Sequence, residues 1–544
     1  MFDFIKTIEI NKKMFIRKHI QCFIPIVIYI ITSILYPSFI HLIIDYGINE
    51  SNIKRIMVFC GLMTLVGLAM VLSDYIIKVL YYKFSMSLNM ELKIKLFRKI
   101  INSKYKVASQ KKVGDLCMSL NSDLEQIADF LTCEIPNIAK NFLTLLGVSI
   151  LIIFYFRIIG VAIILFSLCT IIFQKKLGHC IMKFSEELRS AAGNESAYVT
   201  EILSNLEDIQ MSGYTSLVCN KYETNNELVK KAAIKNSNFM FFSGTLGYLF
   251  NTLILLIILT IGSFSTYKNL MEIGTLFSLT IYAQRIVGPI AALISSYVEM
   301  KNTYPLFQRI CELIQEAVKL SDGKQLPRKC LQKITYEKVS FGYLDSNRTL
   351  FSNFEFTISK GDIIGIVGHN GTGKTTLLKL LFGLCTPDKG EIIINDTYNL
   401  KDLNINFLYN NIGYMGQTPV LFSGKLTEII NPLGKEISDG KVFELMKELN
   451  FDINLFGGKL DYVLSENSTN ISGGEKQKLA LLRLFIENKN WLILDEPTSA
   501  MDCESEKRIC AFLKKMCLEK TVIIITHRPE ILSICNRILD FDSL

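Results

Sequence analysis

The chain has 544 residues, of which half are hydrophobic, and its mean hydropathy of +0.31 is high for a soluble protein. Only 20% of the residues are charged and the formal net charge is +8, which argues against a chain built only of soluble domains and predicts a membrane-embedded part. The 14 cysteines and five histidines are scattered, which argues against a disulfide framework or a metal cluster and favours buried thiols.

The N-terminal half contains six apolar segments, each long enough to cross a bilayer of about 30 Å. They lie near residues 20–44, 56–80, 136–156, 158–177, 240–264 and 275–298. Residues 1–18 mix Phe and Ile with Lys and Arg and are followed by no small-residue cleavage site, which indicates an amphipathic elbow helix on the membrane surface. Residues 19–315 are therefore predicted to form an all-α six-helix transmembrane domain.

Lysine and arginine predict the orientation of these spans. Five basic residues precede the first span, and nine lie in residues 83–112, between the second and third spans. The long connection between the fourth and fifth spans is also basic, whereas the remaining connections are short and carry at most two basic residues each. The positive-inside rule predicts that the N-terminus, both long connections and everything after residue 300 are cytosolic. The chain is thus expected to be a multi-pass protein of the cell membrane.

The C-terminal part has a different pattern. Residues 316–330 are polar, include glycine and proline, and are predicted to be a linker. From residue 331 to residue 544, short β-rich runs (DIIGIV, EIIIN, WLILDE and TVIIIT) alternate with helical stretches. This alternation predicts an α/β domain with a largely parallel sheet.

The stretch GHNGTGKTT, residues 368–376, matches the phosphate-binding loop motif GxxxxGK[ST] between a strand and a helix. Its glycines expose backbone amides to phosphate, Lys374 is placed to neutralise the β and γ oxygens, and Thr375 is predicted to bind Mg²⁺. The predicted nucleotide-binding residues of this loop are Gly368, Asn370, Gly371, Thr372, Gly373, Lys374, Thr375 and Thr376. For His369 a solvated side chain is expected.

A second motif, WLILDEPTSAMD, is an apolar strand that ends in two carboxylates. Asp495 is predicted to hold Mg²⁺, and Glu496 to orient or deprotonate the attacking water. The alternative is an acidic pair that caps a helix, but this alternative does not explain why the pair ends a fully apolar strand.

A third motif, NISGGEKQK, residues 470–478, indicates another anion cradle, because a Ser-Gly-Gly turn opens a helix. Together the three motifs resemble the ATP-binding cassette of ABC transporters, and the six spans with two long cytosolic connections resemble the exporter type with a fused membrane and ATPase half. The resemblance covers essentially the whole chain. It implies a P-loop ATPase domain with a helical subdomain, ATP and Mg²⁺ as cofactors, and a second half-transporter as partner, in a homodimer or a heterodimer.

The resemblance assigns further roles by motif. Tyr343 matches the aromatic residue that stacks on adenine, and Gln417 the glutamine that senses Mg²⁺ and γ-phosphate. His527 matches the histidine that contacts the γ-phosphate, and Asp502 the aspartate that links the two active sites. Glu466 occupies the acidic position of a segment that touches the membrane domain.

The same resemblance explains the second cradle. Two cassettes pair head to tail in the family, so Ser472, Gly473 and Gly474 are expected to cap the γ-phosphate bound to the partner chain. Ile471 and Glu475 replace the commonest Leu and Gln of this motif. Because the Ser-Gly-Gly turn is intact and the position of Glu475 points away in family members, ATPase activity is expected to survive.

Two stretches of the membrane half resemble the family's cytosolic connections: residues 112–123, with Gly114 and Asp123 at recurring positions, and residues 200–214, whose tip docks on the partner cassette. Arg285, beside Gln284, lies in the sixth span, and either a water-filled cavity or a buried structural pair would accommodate its charge. Asp74 and Lys78, four residues apart, are expected to neutralise each other.

The predicted function is ATP-driven export of a peptide, lipid or amphipathic small molecule by alternating access. The partners expected are membrane lipid, a second half-transporter and an unknown cargo, and no nucleic acid. A non-transporting ATP-gated regulator or sensor, and an importer built on the exporter fold, are the alternatives. Fewer than twenty residues precede the first predicted span in this sequence, so a peptidase domain that cleaves a leader from the cargo is not expected; uncleaved or already processed peptides stay open as cargo.

Overall fold

The structure is a computed structural model that describes residues 12–103, 113–316, 330–342, 349–369, 371–452, 458–464 and 471–543. These residues form two compact units. The first is helical and holds the described residues up to Arg98 and from Val113 to Gln315; the second holds those from Lys99 to 103 and from Glu316 onward. The predicted elbow helix and linker fall mostly on residues 1–11 and 317–329, which lie outside the described residues.

The helical unit consists mainly of long helices. In chain order the helices are α1 (Lys12–Ile43), α2 (Ile53–Ile101), α3 (Val113–Met118), α4 (Leu124–Asp129), the helical segment α5 (Ile135–Ser204), α6 (Leu206–Met211), α7 (Thr215–Tyr267) and α8 (Ile273–Glu316). π-helical turns join α3 to α4 and α4 to α5. Pro25 and Pro37 lie inside α1, as membrane helices tolerate when their neighbours satisfy the freed backbone groups.

Five helices of the described residues are long and apolar enough to cross a membrane. The predicted fourth span, 158–177, lies within α5, but the side chains of residues 155–171 lie outside the described set. The six-span arrangement therefore stays a prediction.

Buried polar contacts join the helices of this unit. At the start of α8, the carboxylate of Asp45 accepts hydrogen bonds from the amides of Gly274 (2.8 Å) and Thr275 (3.1 Å), and it pairs with His41 at 2.6 Å. Asp45 thus satisfies backbone donors that a helix N-terminus leaves open. Asp123, whose side chain is 3% exposed, pairs with Arg309 of α8 at 3.0 Å.

The second unit is an α/β domain with two larger sheets. Its strands are β1 (Lys333–Gly342), β2 (Thr349–Ser359), β3 (Ile363–Val367), β4 (Lys389–Ile394), β5 (Tyr398–Asn399), β6 (Ile412–Met415), β7 (Gly424–Lys425), β8 (Val463–Leu464), β9 (Trp491–Asp495), β10 (Thr521–Ile525) and β11 (Arg537–Asp540). Its helices are α9 (Lys374–Leu381), α10 (Asn406–Asn411), α11 (Leu426–Ile430), α12 (Asp439–Glu448), α13 (Gly473–Glu487), α14 (Cys503–Met516) and α15 (Pro529–Leu532).

The order of the strands explains where the site lies. The central sheet is parallel, in the order β11-β3-β10-β9-β6, and the antiparallel sheet has the order β2-β1-β4-β5. Strands β9 and β10 are fully buried, as expected for apolar runs in a covered parallel sheet. Ile525 at the end of β10 is in register with Asp495 of β9 and Ile366 of β3. The carboxyl ends of these three strands therefore meet at one edge, where ligands bind in open α/β sheets.

Candidate functional site

The phosphate-binding loop joins β3 to α9, and its backbone has the geometry of an anion cradle. Gly368, Gly371 and Gly373 have φ angles of +145°, +85° and +103°, which favour glycine. A Cβ on Gly373 would also lie 2.8 Å from Cζ of Phe351. The buried ammonium of Lys374 donates hydrogen bonds to two carbonyl groups of this loop. These bonds hold the cation across the loop, where it would meet phosphate oxygens.

The threonines predicted to bind the nucleotide lie in the phosphate loop and in the first turn of α9. Thr375 and buried Thr376 belong to the first turn of α9, whose amides have no intrahelical acceptor. The Thr372 hydroxyl donates to the carbonyl of His369 at 2.9 Å. Asn370 of this loop, like Tyr343 and Glu466, lies outside the described residues.

The two carboxylates of the second motif have different environments. Asp495 ends β9 and is 5% exposed, and burial, together with the neighbouring Glu496, raises its pKa to about 6. Glu496 has a φ of +49°, a left-handed conformation that is costly for a non-glycine residue and is concentrated at functional sites. Its amide is held by the carbonyl of Ile525 at 2.8 Å. The left-handed turn at Glu496 therefore points its carboxylate away from the buried position that the neighbouring Asp495 occupies.

Gln417 is joined to the proposed catalytic carboxylate. Its amide nitrogen donates a 2.9 Å hydrogen bond to Oε2 of Glu496. Gln477, which the sequence did not single out, is 2% exposed and donates to the Glu496 carbonyl at 3.3 Å and to the Ser499 hydroxyl at 2.9 Å. Glu496 is thus held by contacts to both its side chain and its backbone.

The donor set at this edge fits Mg²⁺. The Asp495 carboxylate and the Thr375 hydroxyl are oxygen ligands, which hard divalent cations prefer. A buried carboxylate whose pKa is raised is also a group that a cation would stabilise in its charged form. Gln417, the third predicted metal residue, donates its amide hydrogens to Glu496 and retains a carbonyl oxygen for a ligand.

His527 follows β10 at the same edge and is exposed; among the described residues, none forms a hydrogen bond with its ring.

Asp502 is the N-cap of α14, where its carboxylate accepts from the Ser505 amide at 3.4 Å. Hydrogen bonds from the side chain and backbone of Ser505 lower the pKa of Asp502. Within a single chain, Asp502 is therefore a helix cap, and its predicted link to a second active site stays a prediction.

The Ser-Gly-Gly turn contains one contact that contradicts the sequence interpretation. Ser472 is the N-cap of α13 and accepts from the Glu475 amide at 3.3 Å, as a capping box requires. Glu475 was expected to point away, but its Oε2 accepts hydrogen bonds from the Ser472 amide at 2.7 Å and from the Ser472 hydroxyl at 2.8 Å. The expectation is wrong because a carboxylate at the third helical position satisfies the open amide of the cap.

The Ser472 turn and the phosphate loop belong to separate parts of the unit. In the described part of the chain, neither a hydrogen bond nor an ion pair joins Ser472, Gly473 or Gly474 to the loop. A Cβ on Gly473 or Gly474 would lie 3.2 Å or 3.0 Å from atoms of Ala500. The turn thus packs closely against the segment after Glu496, and the amide of Ser472 is already bonded to Glu475.

Sequence reasoning missed two ion pairs that support this edge. Arg528, next to His527, donates to Glu506 at 2.6 Å, and Glu506 is 4% exposed. At the loop, Asp542 accepts from the His369 amide at 2.9 Å and pairs with the His369 ring at 2.7 Å, and the backbone contact is the main reason that the pKa of Asp542 is lowered. The His369 side chain is 88% exposed, as predicted, although its partner was not.

Comparison with known families identifies both halves of the chain. Residues 20–290 match the family model described as "ABC transporter transmembrane region", and residues 351–499 match the model described as "ABC transporter". The two matches are in the order expected for a membrane region fused to an ATPase domain.

Individual relatives are similar at low identity. The chain is 25% identical over 462 residues to the alpha-hemolysin translocation ATP-binding protein HlyB of Escherichia coli O157:H7, a match to 84% of this chain and 65% of that protein. It is 27% identical over 446 residues to the serine protease/ABC transporter B family protein tagA of Dictyostelium discoideum, a match to 80% of this chain and 25% of that protein. The chain thus spans less than two thirds of either relative.

Among solved structures, the chain resembles a bacterial Atm1-family ABC exporter with ATP bound. The TM-score is 0.84 at 19% identity, and the match covers 97% of this chain and 94% of the other. At this identity the similarity establishes the fold, a helical membrane region followed by an ATPase domain.

Proposed function

This chain belongs to the ABC transporter family, whose members are ATP-hydrolysing transporters, and we propose that it exports a peptide, lipid or amphipathic small molecule as a dimer with two composite ATP sites. It is a multi-pass membrane protein with the exporter fold. The observation that carries the proposal is the held carboxylate of Glu496, beside Asp495 and at the sheet edge that also bears the phosphate loop.

The ATPase chemistry follows from these positions. Lys374 and the loop amides would bind the β- and γ-phosphates, and Mg²⁺ held by Thr375 and Asp495 would neutralise charge on them. Glu496 would orient and deprotonate the attacking water, while Gln417 keeps its carboxylate in place. His527, exposed at the same edge, would contact the γ-phosphate. Tyr343 would stack on adenine.

We place the second cradle on the partner chain. The Ser472 turn has no lysine of its own, because in a head-to-tail dimer the phosphate it contacts would already be bound by Lys374 of the other chain. Ser472, Gly473 and Gly474 would cap the γ-phosphate held by the partner, with Asp502 linking the two sites. ATP would thereby close two cassettes, and hydrolysis would release them, so that binding energy shifts the membrane halves between inward and outward states. The partner is a second copy of this chain or a related half-transporter.

We also propose that the chain reverses within α5, which would give six spans and put both ends of the membrane domain on one side. α5 approaches α8 at two points. Gly147 packs against Ile34 of α1, and the carbonyl of Ile34 accepts a 2.9 Å hydrogen bond from the Tyr282 hydroxyl of α8. A Cβ on Gly178 would lie 3.7 Å from Val298 of α8. These two contact points are about 24 Å apart along α8, from residue 282 to residue 298. If α5 were one straight helix, its two contact residues, 147 and 178, would be about 46 Å apart. Two antiparallel spans joined near residue 157 would account for the difference.

Proteoliposomes test the proposed function, with the cassettes outside and one probe from each cargo class: a fluorescent phospholipid, an amphipathic peptide and a hydrophobic dye. An exporter accumulates at least one probe inside the vesicle when ATP and Mg²⁺ are added outside. A Glu496→Gln preparation, which should bind ATP without turning it over, is the control for passive entry.

The outcomes separate the alternatives. ATP-driven loss of a probe from preloaded vesicles would indicate an importer and contradict export. Robust ATP hydrolysis that depends on Glu496 but moves no probe in either direction would favour a regulator or sensor. Absence of Glu496-dependent hydrolysis would contradict the site itself.

A further inference from the structure

Arg285 lies inside a predicted span without a carboxylate partner. Its guanidinium Nη1 lies 3.4 Å from the sulfur of Met70, and its central carbon lies 5.9 Å from the centre of the Tyr36 ring. Among the described residues, no carboxylate oxygen lies within 4.0 Å of its side-chain nitrogens. A thioether and an aromatic ring stabilise a cation only weakly compared with an anion. The sequence left a buried structural pair open for Arg285, and the described residues do not provide one.

The carboxylates of the neighbouring helices have other partners. Asp74, one turn from Met70 on α2, is already paired with Lys78 at 2.6 Å and lies 3.9 Å from Lys140. The Asp74–Lys78 pair is as predicted, but Lys140 adds a second cation to it. Glu134 is hydrogen-bonded to Ser296 at 2.6 Å. Asp74 thus already serves two cations, and neither Asp74 nor Glu134 lies within 4.0 Å of the side-chain nitrogens of Arg285.

The helix face next to Arg285 differs from a lipid-facing surface. Gln284, Gly288, Ala291 and Ser295 recur on one face of α8 and are all exposed, and a Cβ on Gly288 would have open space around it. By contrast, the exposed side chains of α2 include large apolar ones, namely Leu65, Leu68, Val71 and Leu72. Small and polar residues in a span mark helix interfaces and aqueous paths rather than lipid contact. This face, which begins next to Arg285, therefore has the composition of a helix interface or an aqueous path rather than of a lipid-facing surface.

We propose that Arg285 binds an anionic group of the cargo, so that the exported molecule carries a phosphate, sulfate or carboxylate on an apolar body. This inference rests on the proposed export function and specifies its substrate class. A guanidinium presents paired donors that match phosphate and carboxylate oxygens. The ring of Tyr36 supports the guanidinium. The apolar body would lie along the surrounding aliphatic side chains.

The test uses the full chain in phosphatidylcholine nanodiscs and three probes that share one decyl chain: decyl phosphate, decanol and decyltrimethylammonium. The readout is the ATPase rate against probe concentration, normalised to the rate of each variant without probe. Decyl phosphate should stimulate the wild type at the lowest concentration. Arg285→Gln should raise its half-maximal concentration about ten- to a hundredfold, as expected for the loss of a charged hydrogen-bonded contact. Arg285→Lys should retain much of the response, and Arg189→Gln, which removes an exposed arginine outside the predicted spans, should retain all of it.

A second arm identifies the source of the anion. If phosphatidylglycerol added to the nanodiscs stimulates the wild type but not Arg285→Gln, the bound group is a lipid headgroup. If only decyl phosphate does so, the cargo is a diffusible anion. Equal responses to all three probes, no response to any probe or to phosphatidylglycerol, or an unchanged response in Arg285→Gln would each overturn the proposal. Loss of Glu496-dependent hydrolysis in the wild type would instead refute the proposed function, and it is measured before any probe is added.

Discussion

Glu475→Gln should strengthen the ATP-driven pairing of two cassettes. Oε2 of Glu475 lies 2.8 Å from the Ser472 hydroxyl oxygen, and that hydroxyl is the group we propose to contact the partner's γ-phosphate. The hydroxyl has a single proton, so in the closed dimer it would donate to the phosphate instead of to Glu475; with its oxygen in place, the carboxylate would still lie about 5.5 Å from the phosphate oxygens. The substitution removes this negative charge at constant shape, and a capping box accepts glutamine as well as glutamate at the third helical position.

The magnitude follows from Coulomb's law. At about 5.5 Å, the repulsion between unit charges is about 0.8 kcal/mol in water and about 3 kcal/mol at an effective dielectric constant of 20. Ser472 is exposed and Glu475 half-buried in the single chain, so the interface is only partly withdrawn from water. We expect a gain of roughly 1–2 kcal/mol, or about 5- to 30-fold in apparent ATP affinity.

The assay is the ATP concentration for half-maximal hydrolysis in the full chain, with Glu444→Gln as the control that removes an exposed carboxylate elsewhere. The advantage of Glu475→Gln should also shrink as salt is raised from about 0.05 to 0.5 M, since the charges are then screened. An unchanged or higher half-maximal ATP concentration in Glu475→Gln would refute the proposed position of the carboxylate.

Four further outcomes test the rest of the site. Glu496→Gln should bind ATP normally but lose turnover, because the water loses its base; steady-state hydrolysis near the wild-type rate would contradict this role. Lys374→Ala should weaken nucleotide binding itself, since the cation across the loop is lost, and an unchanged ATP affinity in an equilibrium binding assay would count against the loop. The pKa of Asp495 is raised to about 6, so protons should compete with Mg²⁺ for this carboxylate below pH 6. The Mg²⁺ concentration for half-maximal ATPase should rise about tenfold per pH unit below pH 6 and stay constant above pH 7. A Mg²⁺ requirement that does not change with pH would exclude Asp495 as the ligand. A mixed dimer of one Lys374→Ala chain and one Gly473→Asp chain collects both lesions in one composite site, so it should hydrolyse ATP faster than either mutant homodimer; a rate no higher than theirs, with a wild-type/mutant dimer as reference, would contradict capping by the partner.

The site motifs were predictable because their spacing is local. The phosphate loop needs a strand, a glycine-rich turn and a helix in immediate succession, and the structure has β3, the loop and α9 in that order. Asp495 was predictable because an apolar run that ends in a carboxylate places it at the edge of a parallel sheet. These inferences required no knowledge of distant contacts.

Side-chain partners across long separations were not predictable in this way. The bond between Gln417 and Glu496 joins residues 79 positions apart, and Asp45 caps a helix that starts more than 220 residues later. Such pairs depend on how elements pack, which hydrophobic periodicity does not encode. The orientation of Glu475 was missed for a different reason: the motif suggested its family role, while the local chemistry of a helix N-terminus decided its position.

The two cradles therefore differ in charge, and this difference should affect the transport cycle. The phosphate loop carries Lys374 and is proposed to bind the nucleotide within one chain, whereas the Ser472 turn carries the carboxylate of Glu475 in contact with its hydroxyl. Nucleotide binding and cassette closure should then respond to different charges, since Glu475 opposes only the second step. A closed state weakened by about 1–2 kcal/mol reopens more readily after hydrolysis, because the equilibrium shifts by the difference in ligand contacts between the two states. We infer that Glu475 lowers the population of the closed dimer without reducing the affinity of the phosphate loop for ATP.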